Sequence, residues 1–498
     1  MTQVGIFEES RPTRWTSGVR ILSVIGFVAV VSAAAIADYL SSWLPKLGGF
    51  PAGAVLRDGA AITFVALAGA VVLHDRPWPG RALLTPRMSL RSVAVAGATF
   101  APFAAFSVWV LVLVPTGPAV VPAVLATRNL VLYAMVGFAA YVLVARRYLP
   151  VGVLLGVLTA FGFVAAGLGI LDTVTHGAFV TWLGYRPDYS GVEGGASQLI
   201  AGASAAFQGF VRASGGISNA LVFGYVMVAI TVFAIWMLGR VVTRSGWRSW
   251  SALLYLALGT VAAVACIDSL TRGALIALAL GLLVLILLQR SRVVLLGSLA
   301  TVALALTLTW ASSGLTSMQS AGSAMGLGLF DTVGTRVTSS DPTSQESSSL
   351  RLGQLRLGLE ALAARPMGNG LGTEGAAADR AAGKKMAPDI FAMVVALQTG
   401  LVGAVLYALI FAAMILWSVR GPTRARALVL AMLGIFATSA VLSASPDAPV
   451  FATIMWILIL AVSAVPALDD RAVADHGNSP PSIIETPQVS TRAGRTSA

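Results

Sequence analysis

Twelve stretches of this chain are apolar over about the length a helix needs to cross a bilayer, roughly 20 residues. They fall at about 20–44, 58–74, 92–114, 129–145, 150–171, 219–238, 249–267, 273–289, 293–312, 389–416, 427–443 and 449–467. Of the 498 residues, 57% are hydrophobic and only 11% are charged, against roughly 25% charged in an ordinary soluble domain. A soluble protein of this composition would lack the polar surface to cover itself. Soluble, disordered and fibrous classes are therefore excluded. The expected fold class is an all-α polytopic membrane protein with about 12 transmembrane helices.

The arginines test the topology. With the N-terminus inside, the internal segments collect Arg11, Arg14 and Arg20, then Arg76, Arg81, Arg87 and Arg91, then Arg146 and Arg147. Arg240, Arg244 and Arg248 follow, then Arg290 and Arg292, Arg420, Arg424 and Arg426, and finally Arg471, Arg492 and Arg495. These are 20 of the 33 bases, accompanied by 7 of the 21 acids, which leaves 13 bases and 14 acids outside. Every internal turn is basic, as the positive-inside rule requires, and twelve crossings return the C-terminus to the cytoplasm. The formal charge of +12 is thus an orientation signal, and no nucleic-acid partner is expected.

The expected organisation is a transmembrane domain over 1–468 and a Pro-, Ser- and Thr-rich disordered cytoplasmic tail over 469–498. The first run contains a small-residue stretch, Ala33 to Ala37, that mimics a signal-peptidase site; the run reads as an uncleaved span because the charge alternation works with it in place. Two outer segments are long, about 172–219 and 311–388. Long connections concentrate function. In the second, between spans 9 and 10, Leu352, Leu355, Leu359 and Leu362 share one helical face while Arg351, Gln354, Arg356 and Glu360 take others. That pattern predicts a helix lying in the membrane interface.

One cysteine, Cys266, and three scattered histidines, His74, His176 and His476, exclude a disulfide framework and predict no metal site. The informative side chains are arginines on the outer face, where insertion does not favour them: Arg212, Arg272, Arg336 and Arg351. A guanidinium group is permanently charged and offers a planar fork of donors to phosphate oxygens. Taken singly, each is more economically read as snorkelling to headgroups or pairing with an acid. The run from Pro366 to Gly375 carries four glycines and has two readings, a backbone anion cradle or a flexible turn. It is not a P-loop, since no Gly-Lys-Ser/Thr follows. Asp389 opens the tenth span, as a helix cap or as a general base for a hydroxyl. Asp172, Asp268 and Asp447 also lie near outer boundaries.

Three blocks, in order, resemble the O-antigen ligase and O-antigen polymerase superfamily of membrane glycosyltransferases. The first runs from Arg212 through Gly215 and Asn219 to Gly224 and is similar to the family's Arg-x-x-Gly block entering a span. The second, Ser269 to Gly273 with Arg272, is similar to its Ser-Arg-Gly signature. The third runs from Arg351 through Pro366, Gly368 and Gly370 to Gln398, Gly400 and Gly403, and resembles the large external loop with its following helix. The resemblance spans about 205–415. It implies transfer of a glycan from a polyprenyl-diphosphate carrier to a glycan or glycolipid acceptor at the outer face of the cytoplasmic membrane, among membrane lipids and without a cofactor. By motif position it implies diphosphate contacts for Arg212 and Arg272, with Arg351 and Arg336 as further candidates from the loop. The family's ligases usually carry a His-Asn pair where this chain has Asp389 and Ile390, so the expected base is a carboxylate. The rival class is a transporter of an anion or of a lipid-linked sugar, disfavoured because ionisable groups are few within the spans and cluster outside.

Overall fold

A computed structural model describes residues 14–43, 52–74, 90–175, 178–182, 213, 215, 217, 220–319, 342–375, 390–420, 423–443 and 445–462. Among the described residues the regular structure is entirely helical. The helices are α1 (Arg14–Trp43), α2 (Ala52–His74), α3 (Leu90–Leu113), α4 (Val120–Ala145), α5 (Val151–Val174), α6 (Ala220–Ser245) and α7 (Trp250–Asp268). They continue with α8 (Arg272–Gln289), α9 (Arg292–Gln319), α10 (Pro342–Ala364), α11 (Phe391–Arg420), α12 (Thr423–Leu442) and α13 (Pro449–Ala461). A helix covers each of the twelve apolar runs, and ten of these are long and apolar enough to cross a membrane. The apolar parts described for the third and twelfth runs, Phe100–Thr116 and Pro449–Ala461, are shorter. The C-terminal tail lies outside the described residues.

α6 is the axis of the bundle. Its most apolar window is 94% buried inside the protein, whereas the other spans keep a large share of theirs on the surface. Aliphatic side chains such as Ile62, Val108, Leu283 and Leu299 stand exposed on those helices, as a lipid-facing surface requires. α6 packs against α7, α8, α9, α12 and α13. Close approach at its start depends on Gly224, where a Cβ would press on Ser269, Thr271 and Ala274. Phe223, Tyr225, Phe233 and Trp236 fill the space around it and are fully buried.

α11 contains a break. Gly400 has φ 71° and ψ −175° within a helix otherwise continuous from Phe391 to Arg420. In an unbroken helix the Leu401 N–H would donate to the Leu397 carbonyl. Instead Leu401 N donates to Pro366 O at 2.7 Å, and Leu397 O accepts from Asn369 N at 2.7 Å. The segment 366–369 thus inserts its own backbone into the gap. Trp109 of α3 donates its indole N–H to Thr399 O at 2.9 Å. Such irregular backbone is tolerated at membrane depth only when its polar groups are satisfied inside the protein. On the Phe391 side of the break nearly every residue is buried, while Leu401, Val402, Val405 and Leu409 beyond it are exposed.

α10 covers the predicted helix and packs against the start of α11. Gly358 meets Met393 of α11, and Ala361 and Leu362 pack on Ile390, Met393 and Leu397. Leu355 and Leu359 stay exposed at 36% and 53%. Gly358, Ala361 and Leu362 make the protein contact, and the glycine lets the two helices approach.

Replacing Gly400 by Val should lower the melting temperature of the detergent-purified protein. Left-handed strain alone costs on the order of 1–3 kcal/mol, and any Cβ at this position collides with the backbone of Pro366 and Met367. Gly353, exposed with nothing nearby, is the control: Gly353→Ala in mid-helix should be stabilising by roughly 0.5–1 kcal/mol.

Candidate functional site

The three sequence blocks meet at one end of the bundle, the end that the charge pattern assigns to the outside. Block one joins block two through Ala213, whose N–H donates to Asp268 O at 3.1 Å. The Thr271 hydroxyl adds a bond to Ala220 O at 3.3 Å. The turn between α7 and α8 is tight: Ser269 Oγ donates to Cys266 O at 2.6 Å, and Leu270 has φ 49°. A left-handed leucine is a strained conformation of the kind that clusters at functional sites. Gly273, just beyond, lies beside the Tyr225 hydroxyl and Leu442 of α12.

Residue Ser443 then links block two to block three, because its carbonyl accepts from Phe391 N at 3.1 Å. The connection from α12 to α13 therefore touches both the start of α8 and the start of α11. Arg272 stands at that junction, half-buried, with no ion pair or side-chain hydrogen bond among the described residues. Arg351 lies on α10 at a position where only the backbone is described. Arg212, Arg336 and Asp389 lie outside the described residues. The structure thus brings together the elements that carry the blocks and shows one of the predicted side chains, Arg272.

The glycine-rich run is a folded loop rather than a loose turn. Gly368, Gly370, Gly372 and Gly375 take φ values of 84°, 94°, 77° and 74°. Leu371 is fully buried. Any Cβ on Gly370 would strike Thr116 in the α3–α4 connection, and any Cβ on Gly372 would strike Pro122 in the first turn of α4. Gln398 of α11 clasps the loop from both ends of its amide: Oε1 accepts from Gly372 N at 3.2 Å, and Nε2 donates to Glu374 O at 2.6 Å.

Beside this loop runs a buried polar chain that the sequence did not announce. Asp58 of α2 accepts from Arg128 Nη1 at 2.9 Å, from the Tyr133 hydroxyl at 2.8 Å and from Arg57 Nε at 3.2 Å. Arg128 turns its other edge to its neighbour, donating from Nε and Nη2 to Asn129 Oδ1 at 2.9 and 2.8 Å. Asn129 Nδ2 in turn donates to Asp447 Oδ1 at 2.8 Å. Asp447 Oδ2 lies 3.3 Å from where a Cβ on Gly375 would stand. The segment Arg128–Leu132 is a π-turn within α4, a wound irregularity frequent at functional sites. Arg57 and Arg128 escaped notice because apolar runs were bounded at the charges themselves, at 58 and 129. The helices begin earlier, at Ala52 and Val120, and carry these groups inward.

With the geometry in view, comparison with known proteins adds one finding. Over 366 residues, 72% of this chain and 80% of the relative, the sequence is 26% identical to an "O-antigen polymerase" of Salmonella muenchen. The chain resembles the O-antigen polymerase and ligase superfamily. No protein-family model and no solved structure matches it. The aligned length is far greater than the three blocks, so the likeness rests on more than short motifs.

Breaking the Asp58 cluster by halves should be worse than removing it. Asp58→Leu leaves buried guanidinium groups without their carboxylate and should destabilise by about 3–5 kcal/mol. The double variant Asp58→Leu/Arg128→Leu should recover part of that loss. Chemical or thermal unfolding in detergent, read as a double-mutant cycle, checks this, and strictly additive losses would show that the pair is not coupled.

Proposed function

We propose that this protein is a polymerase-type membrane glycosyltransferase acting on glycans linked to a polyprenyl diphosphate. The observation that carries the reading is Arg272: a half-buried guanidinium without a partner among the described residues, at the junction of the three blocks. The alignment with the Salmonella O-antigen polymerase supports the same substrate class and favours polymerisation over a single ligation. The chain crosses the cytoplasmic membrane twelve times with both termini inside, and the reaction takes place at the outer face.

In this mechanism Arg272, with Arg212, Arg351 and Arg336, holds the donor diphosphate. An acceptor hydroxyl attacks the anomeric carbon from the face opposite the diphosphate, with inversion. The new glycosidic C–O bond forms as the C–O bond to phosphate breaks, and the carrier diphosphate departs with the electron pair. Asp389 takes the hydroxyl proton. Fixed guanidinium charges stabilise the negative charge that develops on the leaving oxygen, so the chemistry needs no metal ion.

The test is reconstitution of the full chain in liposomes with a polyprenyl-diphosphate-linked repeat unit, with products read by mass. A ladder of repeats supports the polymerase, and a single addition indicates a ligase. Uptake of an anion or of the lipid-linked sugar without transfer would replace this reading by the transporter. Arg272→Ala should reduce turnover by about 100-fold or more, with unchanged abundance in the membrane. Asp389→Asn should remove turnover while leaving donor binding intact; an active Asn variant reduces Asp389 to a helix cap.

A further inference from the structure

The turn between α7 and α8 carries two side chains of opposite charge that no ion pair joins. Asp268 is the last residue of α7 and Arg272 the first of α8. Asp268 is only 6% exposed. Among the described residues its carboxyl group has neither a hydrogen bond nor an ion pair, and the half-buried Arg272 guanidinium has none either. Opposite charges this close along the chain and shielded from water attract strongly, so two that stay apart are free to bind something else.

The turn does not serve Asp268 from its own side chains. Its two hydroxyls are the nearest donors in sequence, and both are spent on main-chain carbonyls. Ser269 Oγ donates to Cys266 O at 2.6 Å, and Thr271 Oγ1 lies 3.3 Å from Ala220 O and 3.2 Å from Ser269 O. The Asp268 carbonyl, by contrast, is satisfied by Ala213 N at 3.1 Å, so blocks one and two join at this residue. A buried carboxyl group without a hydrogen-bond partner is costly in either protonation state. Packing alone does not call for it, since a leucine has similar bulk.

A ligand that suits this turn presents an anion and hydrogen-bond donors side by side. A guanidinium group holds phosphate oxygens, whereas a carboxylate repels them and accepts from hydroxyl and amide groups. Four residue steps separate Asp268 from Arg272, at most roughly 14 Å between their Cα atoms if the chain were extended. The turn is shorter than that, because Leu270 N donates to Ile267 O at 2.9 Å and Leu270 reverses the chain with φ 49°. In a sugar diphosphate the phosphates and the sugar are one covalent unit, so a diphosphate held by Arg272 brings its sugar to this same turn.

We propose that Asp268 forms a hydrogen-bonding subsite for the sugar that carries the diphosphate, beside the phosphates held by Arg272. The inference rests on the glycosyltransferase reading and deepens it, by naming the residue that tells a glycosylated carrier from a bare one. Asp268 acts by binding the donor sugar, and the acceptor proton is taken elsewhere.

Binding to the purified full chain tests the assignment with two probes, a polyprenyl-diphosphate-linked repeat unit and the same polyprenyl diphosphate without sugar. Asp268→Leu should weaken binding of the glycosylated carrier by about 10- to 100-fold, the range of a hydrogen bond to a charged group. It should bind the bare diphosphate no more weakly than wild type does. Asp268→Asn, which still accepts a hydrogen bond, should fall between, and Arg272→Ala should weaken both probes. Unfolding without ligand supplies the reading that a structural role would reverse. Neither Asp268 variant should melt below wild type, because each removes a buried carboxylate that the protein itself does not pair.

Equal binding of the glycosylated carrier by wild type and Asp268→Leu overturns the subsite, as does an equal loss for both probes. A melting temperature lowered by several degrees in Asp268→Asn also overturns it, since that marks a carboxylate already paired inside the protein. So does loss of turnover in Asp268→Asn with carrier affinity unaltered, which marks a proton acceptor. The reading beneath it fails separately. A wild type that distinguishes the two carriers through Asp268 but transfers nothing loses the transferase and keeps the subsite, and one that binds neither carrier loses both.

Discussion

A helix next to lipid can be interrupted only where something else satisfies its backbone, and the arrangement at the outer end follows from that constraint. The break at Gly400 releases one carbonyl and one N–H, and residues 366 and 369 take both. That exchange fixes residues 366–369 against α11 through main-chain bonds that do not depend on side-chain identity. Gln398, two residues before the break, extends the attachment to Gly372 and Glu374. The loop is then seated on the α3–α4 connection, with Gly375 beside Asp447.

Two kinds of polar group sit at this end and are treated differently. Arg57 and Arg128 are committed to Asp58 and to Asn129, in a chain of charge-assisted bonds. Arg272 is uncommitted among the described residues and stands after a strained turn at Leu270. A cation satisfied by the protein is a structural or orienting device, while one left available suits an anionic ligand.

Much of this was legible in the sequence and some was not. The helices were, because runs of about 20 apolar residues have few alternatives. The order of the blocks along the chain was also legible. Arg57 and Arg128 were not, since a charge at the edge of an apolar run is naturally taken as its boundary. Nor was the clasp between Gln398 and the glycine loop, which joins residues 26 and 24 apart and leaves no local pattern. The π-turn at Arg128–Leu132 has no compositional signature either. The leucine stripe of α10 predicted the helix, whereas the close approach at Gly358 leaves no mark in a hydrophobic pattern.

The break at Gly400 also settles a question of length. α11 has 30 residues, about 45 Å of continuous helix at 1.5 Å per residue, against a hydrocarbon core of roughly 30 Å. As one rod it would have to tilt steeply or leave apolar turns in water. Divided at Gly400, the portion from Leu401 to Arg420 matches the core by itself, at about 30 Å. The preceding turns are then freed from spanning and become part of the wall of the site. Membrane thickness and site geometry are thereby decoupled, so that a thicker or thinner bilayer is accommodated by the lower portion without moving the portion that faces the loop.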